Sequence, residues 1–124
     1  MDLTLIYREE MLEHVKNPRN TGVLSNADFI GESVNNSCGD SLKIYLKLKD
    51  NKITEVKYEA QACAVATASA SILSEQLIGK SIEEAKKITK EAVLENFYNT
   101  LTPSREKCAI LILDSIKDLK KYEN

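Results

Sequence analysis

The strongest constraint on how this chain can fold is a predicted β-hairpin near its middle. Residues 42–49 read LKIYLKLK, so leucine or isoleucine occupies every second position, with lysine or tyrosine between. This alternation is typical of a strand with one buried and one solvated face. Asp50-Asn51 is a tight-turn signal, and residues 52–60 predict the return strand, in which apolar residues again share a face.

The hairpin brings two chemically active segments to the same end of the sheet. Cys38-Gly39-Asp40 places a thiol and a carboxylate just before the first strand, and Cys63 lies just past the end of the second. In an antiparallel pair the start of one strand lies beside the end of its partner. We therefore expect Cys38, Asp40 and Cys63 to lie close together.

Two helices flank this hairpin in the sequence. Residues 3–16 predict an amphipathic helix, which ends at Asn17-Pro18 because the residue before a proline is pushed out of the helical region. This helix carries His14, the only histidine, for which we expect no metal role. Residues 62–73 are rich in alanine and serine and predict a tightly packed helix with Cys63 at its N-terminus. The helix dipole at that position favours a thiolate.

The C-terminal part of the chain predicts further helices. A capping box at Ser81-Ile82-Glu83-Glu84 predicts a helix over 82–90, followed by a helix or turn over 91–99. Thr102-Pro103 predicts the start of the last helix.

The last helix carries the third cysteine. We expect Cys108 in the first turn of this helix, where the periodic apolar face begins. Arg105 and Lys107 flank it in the sequence. Cationic neighbours and a helix N-terminus both favour a thiolate.

Length and composition limit the class of protein. The chain has 124 residues, which predicts a single domain over 1–124. Apolar residues make up 43% and charged residues 29%, as in an ordinary soluble globular protein. The net charge is −2 and the charges are interspersed, so we expect no nucleic-acid binding. No leader or membrane-spanning pattern is present, so we expect a cytoplasmic protein without membrane attachment.

Cys38, Cys63 and Cys108 lie far apart in the sequence and include no CxxC pair. A disulfide framework is not expected in a reducing cytoplasm. Two interpretations remain open, inert buried thiols or a site assembled from distant segments, and the local contexts favour the second. Three thiolates with the Asp40 carboxylate would suit tetrahedral Zn²⁺ or an iron–sulfur cluster. Because the carboxylate is the weaker ligand for soft metals, such a site suits cargo that is bound and then released.

Short motifs along nearly the whole chain strengthen this interpretation. In order and spacing they resemble the IscU/NifU/SufU family of iron–sulfur cluster assembly scaffolds. The motifs are Asn17-Pro18-Arg19-Asn20-x-Gly22, Cys38-Gly39-Asp40, Cys63-Ala64 followed by Ala68-Ser69-Ala70-Ser71, Gly79-Lys80-Ser81, and Lys107-Cys108-Ala109.

The resemblance implies an α+β fold of the SufE/NifU-like type. Helices would pack on one face of a three-stranded antiparallel sheet, with the ligand loops clustered at one end. It also implies that Cys38, Asp40, Cys63 and Cys108 are the ligands of the metal or cluster.

The resemblance further implies a scaffold or carrier rather than an enzyme. In the family, persulfide sulfur from a cysteine desulfurase and iron from an iron donor form a transient [2Fe–2S] cluster. The cluster then passes to apo-proteins. Zinc occupies the same ligands in the cluster-free form, and the cluster-bound form would be a homodimer or trimer.

An alternative activity follows from the residues before the third cysteine. Arg105-Glu106-Lys107-Cys108 resembles the SufU branch, whose members act as zinc-dependent sulfurtransferases that accept persulfide and stimulate the desulfurase. Cys108 would then be the persulfide acceptor, with Arg105 and Lys107 in supporting roles. The insertion that SufU proteins carry between the second and third cysteines is absent here, so both activities stay open.

Chaperone binding is not expected. Housekeeping scaffolds of the family carry a Leu-Pro-Pro-Val-Lys motif that an Hsp70-type chaperone recognises. The matching stretch here, Leu101-Thr102-Pro103-Ser104-Arg105, keeps only part of that motif.

Overall fold

The computed structural model describes residues 3–36, 39–97 and 101–122, with side chains from Glu9 onward. The helices in these ranges are α1 (Leu3–Lys16), α2 (Ala64–Gln76), α3 (Ile82–Lys86), α4 (Lys90–Glu95), α5 (Pro103–Ala109) and α6 (Leu111–Lys117). The strands are β1 (Phe29–Asn35), β2 (Asp40–Lys49), β3 (Lys52–Gln61) and β4 (Lys120–Lys121). No helix in the described part of the chain is long and apolar enough to cross a membrane.

The predicted hairpin is confirmed as β2 and β3. Asp50 and Asn51 connect the strands with φ angles of 52° and 64°. Positive φ at both central residues is the signature of a type I′ turn, whose twist matches that of the flanking strands. The register shifts by one residue between Lys47 and Leu48, and the pairing then continues to the far end, where Ser41 lies opposite Gln61. The register therefore places the start of β2 beside the end of β3.

The helices pack on one face of the sheet, as the resemblance implied. The inner face contributes large buried side chains such as Ile44, Leu46 and Tyr58, and the helices contribute Leu73 and Ile112. A smaller cluster of Leu24, Ala27 and Tyr45 covers part of the other face. The α+β architecture is thus confirmed, with one main core between sheet and helices.

The predicted count of three strands was wrong, because β4 adds a fourth. The strand order is β3-β2-β1-β4, and all pairs are antiparallel. β4 is only Lys120–Lys121, which pairs with Ile30 and Phe29 at the outer edge of β1. Two charged residues show no alternation of apolar and polar side chains, so the sequence pattern could not reveal this strand.

The predicted helix over 82–90 was too long. The capping box is present, since the Ser81 hydroxyl accepts the Glu84 N–H and the Glu84 carboxylate accepts the Ser81 N–H. However, α3 ends at Lys86, and Thr89 caps the separate helix α4 by accepting the Ala92 N–H. A second N-cap residue explains why the helix does not continue.

The last helix is also divided, which corrects the predicted position of Cys108. Thr102 and Pro103 begin α5 as expected, but the chain turns at Ile110, with φ −89° and ψ 3°, before α6 begins. Cys108 is the next-to-last residue of α5 and does not lie in its first turn. The helix N-terminus therefore provides no reason to expect a thiolate at Cys108.

The segment after α1 hydrogen-bonds along the free edge of β3. Tyr58 donates its N–H to the Asn20 carbonyl at 3.1 Å and accepts the Gly22 N–H at 2.9 Å. The Asn20 side chain donates to Ser74 at 2.9 Å, and the Arg19 N–H donates to Ser71 at 2.8 Å. This segment covers a strand edge that would otherwise expose unpaired backbone groups.

Helix α6 lies against β1 at a point where only glycine fits. The Ser33 hydroxyl donates to the Leu111 carbonyl at 2.7 Å, and the Glu32 N–H donates to Asp118 Oδ2 at 2.9 Å. A Cβ atom built on Gly31 would lie 2.0 Å from the Ser115 carbonyl oxygen. The close approach of helix and strand therefore depends on the absence of a side chain at Gly31.

We predict that Gly31→Ala destabilises the protein. Overpacking of a tight core contact typically costs about 1–3 kcal/mol, so the free energy of unfolding in urea should fall by about 2 kcal/mol or more. Glu32→Ala is the matched control, because its side chain is exposed and such changes stay within about 0.5 kcal/mol. A Gly31→Ala variant as stable as Glu32→Ala would contradict this packing.

Candidate metal centre at one end of the sheet

Asp40 and Cys63 meet where the hairpin strands end, as the sequence predicted. Asp40 is the first residue of β2, and Cys63 is the N-cap residue of α2, two positions after β3 ends. The Cys63 N–H donates to Asp40 Oδ2 at 3.3 Å. The Cys63 side chain makes no capping hydrogen bond, so its sulfur is not used to cap α2.

Asp40 is a buried carboxylate, only 8% exposed. Burial of a carboxylate is unfavourable unless the group is paired or hydrogen-bonded. The Cys63 N–H provides one hydrogen bond, and a bound cation would provide a stronger partner. The burial of this acid therefore fits a metal-binding role.

Cys108 reaches the same place from α5. It is 5% exposed, and its Sγ lies 3.6 Å from the Ser104 carbonyl oxygen, to which the thiol donates. The ligand atoms of Asp40, Cys63 and Cys108 all lie within 4.8 Å of one another. In a tetrahedral zinc site with Zn–S bonds of about 2.3 Å, two sulfur atoms lie roughly 3.8 Å apart. The three donors therefore stand close to the spacing that a metal requires.

Cys38, the first predicted ligand, lies outside the described residues. Its neighbour Gly39 has φ 74° and donates its N–H to the Asn35 carbonyl at 2.9 Å. Glycine adopts this left-handed conformation without strain.

The other residues considered from the sequence lie outside the cluster of donors. Arg105 and Lys107 are exposed on α5, and no ion pair joins them to another residue in the described ranges. His14 is half-buried, and its Nδ1 lies 2.7 Å from the Ser71 hydroxyl. It is not among the clustered donors.

Tyr45 has a strongly perturbed pKa but lies on the outer face of the sheet. Burial raises the pKa of this phenol to about 12, and its hydrogen bond to Glu59 Oε1, at 2.6 Å, adds to the shift. The phenol therefore stays protonated at neutral pH and contributes no charge to the cluster of donors.

The sequence interpretation missed the buried serines of α2. Ser69, Ser71 and Ser74 are almost fully buried, and each one hydrogen-bonds to another segment of the chain. Their presence in a buried helix was the available signal, because a buried hydroxyl is expected to have a partner. Which partner each serine has depends on the tertiary structure.

Comparison with known proteins agrees with the fold. Residues 6–124 match the family model for the NifU-like N-terminal domain. The chain belongs to this family. The NifU-like domain is 39% identical over 112 residues to iron-sulfur cluster assembly scaffold protein IscU 1 of Archaeoglobus fulgidus, covering 90% of this chain and 72% of the relative.

Two further relatives belong to the SufU type. The NifU-like domain is 36% identical over 89 residues to the zinc-dependent sulfurtransferase SufU of Bacillus subtilis, covering 72% of this chain and 60% of the relative. The crystal structure of FiSufU from Fervidobacterium islandicum superposes with a TM-score of 0.74 at 27% identity, covering 93% of this chain and 96% of that one. The relatives therefore include both scaffold and sulfurtransferase proteins.

We predict that Cys63 and Cys108 both contribute to metal binding. Anaerobic titration with Co²⁺ should give thiolate-to-metal charge-transfer absorbance in the near ultraviolet, and Cys63→Ser and Cys108→Ser should each weaken binding by about tenfold or more. Ser41→Ala, beside Asp40 but without a thiol, is the control and should bind like wild type. Unchanged affinity in both cysteine variants would exclude this cluster as a metal centre.

Proposed function

We propose that this protein is a scaffold on which a [2Fe–2S] cluster is assembled and from which it is transferred to apo-proteins. The observation that carries the proposal is the convergence of Asp40, Cys63 and Cys108 donors within 4.8 Å. Membership of the NifU-like family and similarity to a protein named as an IscU scaffold support it. Cys38 completes the proposed ligand set.

The donor set suits a cluster that must be released to another protein. Thiolates are the usual ligands of iron–sulfur clusters, and a carboxylate oxygen binds soft metals more weakly. Asp40 would therefore be the first ligand that a thiolate of an acceptor protein replaces. The burial of Asp40 and Cys108 would shield the cluster from water until the acceptor approaches.

Sulfur would arrive from a cysteine desulfurase as a persulfide, with Cys108 as the proposed acceptor. The Cys108 thiolate attacks the outer sulfur, the S–S bond to the desulfurase breaks, and the desulfurase cysteine leaves as a thiolate. Each transferred sulfur atom must gain two electrons to become sulfide, so assembly also requires a thiol or ferredoxin-type reductant. We propose that the positive charges of Arg105 and Lys107 attract the anionic persulfide.

The proposed partners are a cysteine desulfurase, an iron donor and apo-protein acceptors. We propose that residues 1–124 act as one domain in the cytoplasm and that two or three copies share the bound cluster.

A zinc-dependent sulfurtransferase is the second candidate function. The similarity to the Bacillus subtilis protein of that name favours it, as do Arg105 and Lys107 beside Cys108. In this case Zn²⁺ would stay on the ligands while one thiol, Cys108, accepts persulfide and thereby speeds desulfurase turnover.

Anaerobic reconstitution tests the scaffold function. The protein is incubated with Fe²⁺, cysteine, a desulfurase and dithiothreitol, and cluster formation is followed by visible absorbance and circular dichroism. Wild type should accumulate a [2Fe–2S] spectrum, and Cys38→Ala, Cys63→Ala and Cys108→Ala should each lose most of it because a ligand is missing. Ser41→Ala is again the control.

The same assay separates the two candidate functions. Zinc-loaded protein that accelerates cysteine turnover by the desulfurase, without any cluster spectrum after zinc removal, would support the sulfurtransferase and contradict the scaffold. Normal cluster formation in all three cysteine variants would contradict the scaffold outright.

We predict that Asp40→Ala makes a bound cluster harder to release. Without the oxygen ligand the acceptor loses its easiest point of attack, so the rate of transfer to an apo-ferredoxin should fall. Asp40→Asn should slow transfer similarly, because its amide oxygen still accepts the Cys63 N–H while the carboxylate is lost. Asp114→Ala, on the exposed face of α6, is the control. Transfer from Asp40→Ala at the wild-type rate would show that Asp40 has no role in release.

A further inference from the structure

Ser69 connects the two helices that carry Cys63 and Cys108. It lies in the middle of α2 and is 1% exposed. Its hydroxyl donates to the Ala109 carbonyl at 2.6 Å. Ala109 is the last residue of α5 and directly follows Cys108. One buried hydrogen bond therefore joins the helix that Cys63 begins to the residue beside Cys108.

The accepting carbonyl lies at a helix end. Carbonyl groups in the last turn of a helix lack the partner that a further turn would supply. At this end the Ile110 N–H bonds to the Cys108 and Glu106 carbonyls, and Ser69 bonds to the Ala109 carbonyl. The serine thus satisfies the backbone group at the position where the chain turns from α5 into α6.

The small side chains of α2 allow this contact. Ala66 and Ala70 are buried close to Ser69 in the sequence, and Ala109 itself is fully buried. A short side chain such as serine reaches a backbone carbonyl only when two helices approach closely. The contact therefore fixes the distance between the backbones of α2 and α5.

We propose that Ser69 is a positioning residue for the metal centre. Its hydrogen bond to Ala109 holds α5 where the Cys108 thiol meets Cys63 and Asp40, and so sets the affinity of the centre for metal. This inference rests on the proposed function only in treating these donors as ligands. Ser69 acts through the backbone of α5.

Anaerobic Co²⁺ titration of the full chain tests this role. Ser69→Ala should bind Co²⁺ about tenfold more weakly than wild type, the scale of loss when a group that orients ligands is removed. Ser74→Ala is the matched control. The Ser74 hydroxyl lies on the same helix and is equally buried, but it bonds to Ser71 and Asn20 instead of α5. Its affinity should stay within about twofold of wild type, since independent sites add with little coupling.

Comparing the variants separates an effect on folding stability from an effect on the position of Cys108. Urea unfolding should show that Ser69→Ala and Ser74→Ala are both destabilised, while only Ser69→Ala loses Co²⁺ affinity. Ser69→Thr keeps the hydroxyl and should bind Co²⁺ more tightly than Ser69→Ala. Equal affinities in Ser69→Ala and Ser74→Ala, or weaker binding by Ser69→Thr than by Ser69→Ala, would overturn the proposal.

A second measurement does not require metal. In the Cys38→Ala background only Cys63 and Cys108 remain, and dibromobimane becomes fluorescent when both thiolates displace bromide and the reagent bridges them. Adding Ser69→Ala should slow the bridging step relative to the first alkylation, and adding Ser74→Ala should not.

If wild type binds no Co²⁺ and forms no cluster, the proposed function fails. The bridging comparison still decides the role of Ser69, and equal bridging in both variants would overturn it.

Discussion

The register of the β2–β3 hairpin is the constraint on which the candidate site depends. Because Ser41 pairs with Gln61, Asp40 lies beside the residues that lead into α2. A shift of one residue would turn every side chain of the strand to the opposite face and move Asp40 away from Cys63. The turn at Asp50-Asn51 and the register shift between Lys47 and Leu48 together set this register, because the shift moves the pairing by one residue from that given by the turn.

Helix α2 extends that constraint into the rest of the molecule. Its N-terminus carries Cys63, and its buried serines bond to the segment after α1 and to the end of α5. Since each of these hydroxyls is buried, losing a bond would leave a polar group without water or partner. These hydrogen bonds therefore specify which segments pack against α2. The apolar core also packs against α2, but contacts between apolar side chains are less specific.

The donors of the candidate site come from two separate parts of the chain. Asp40 and Cys63 are joined by a backbone hydrogen bond within one supersecondary unit, whereas Cys108 comes from a short helix that ends one residue later. A site built from distant segments can change when one segment moves, unlike a compact zinc knuckle in which neighbouring ligands share one loop. This arrangement fits a protein whose proposed cargo is assembled and then released.

The sequence by itself determined the hairpin, its turn, the helix before it and the placement of Cys63 at the start of α2, because periodicity and capping are local properties. The motifs also led to the family and to the ligand candidates, of which Cys38 lies outside the described residues. Only the tertiary structure decided that Lys120–Lys121 forms a fourth strand, that the last helix breaks at Ile110, and that Ser69 bonds to Ala109. Each of these depends on a partner far away in the chain, and no local pattern of side chains encodes the identity of a distant hydrogen-bond partner.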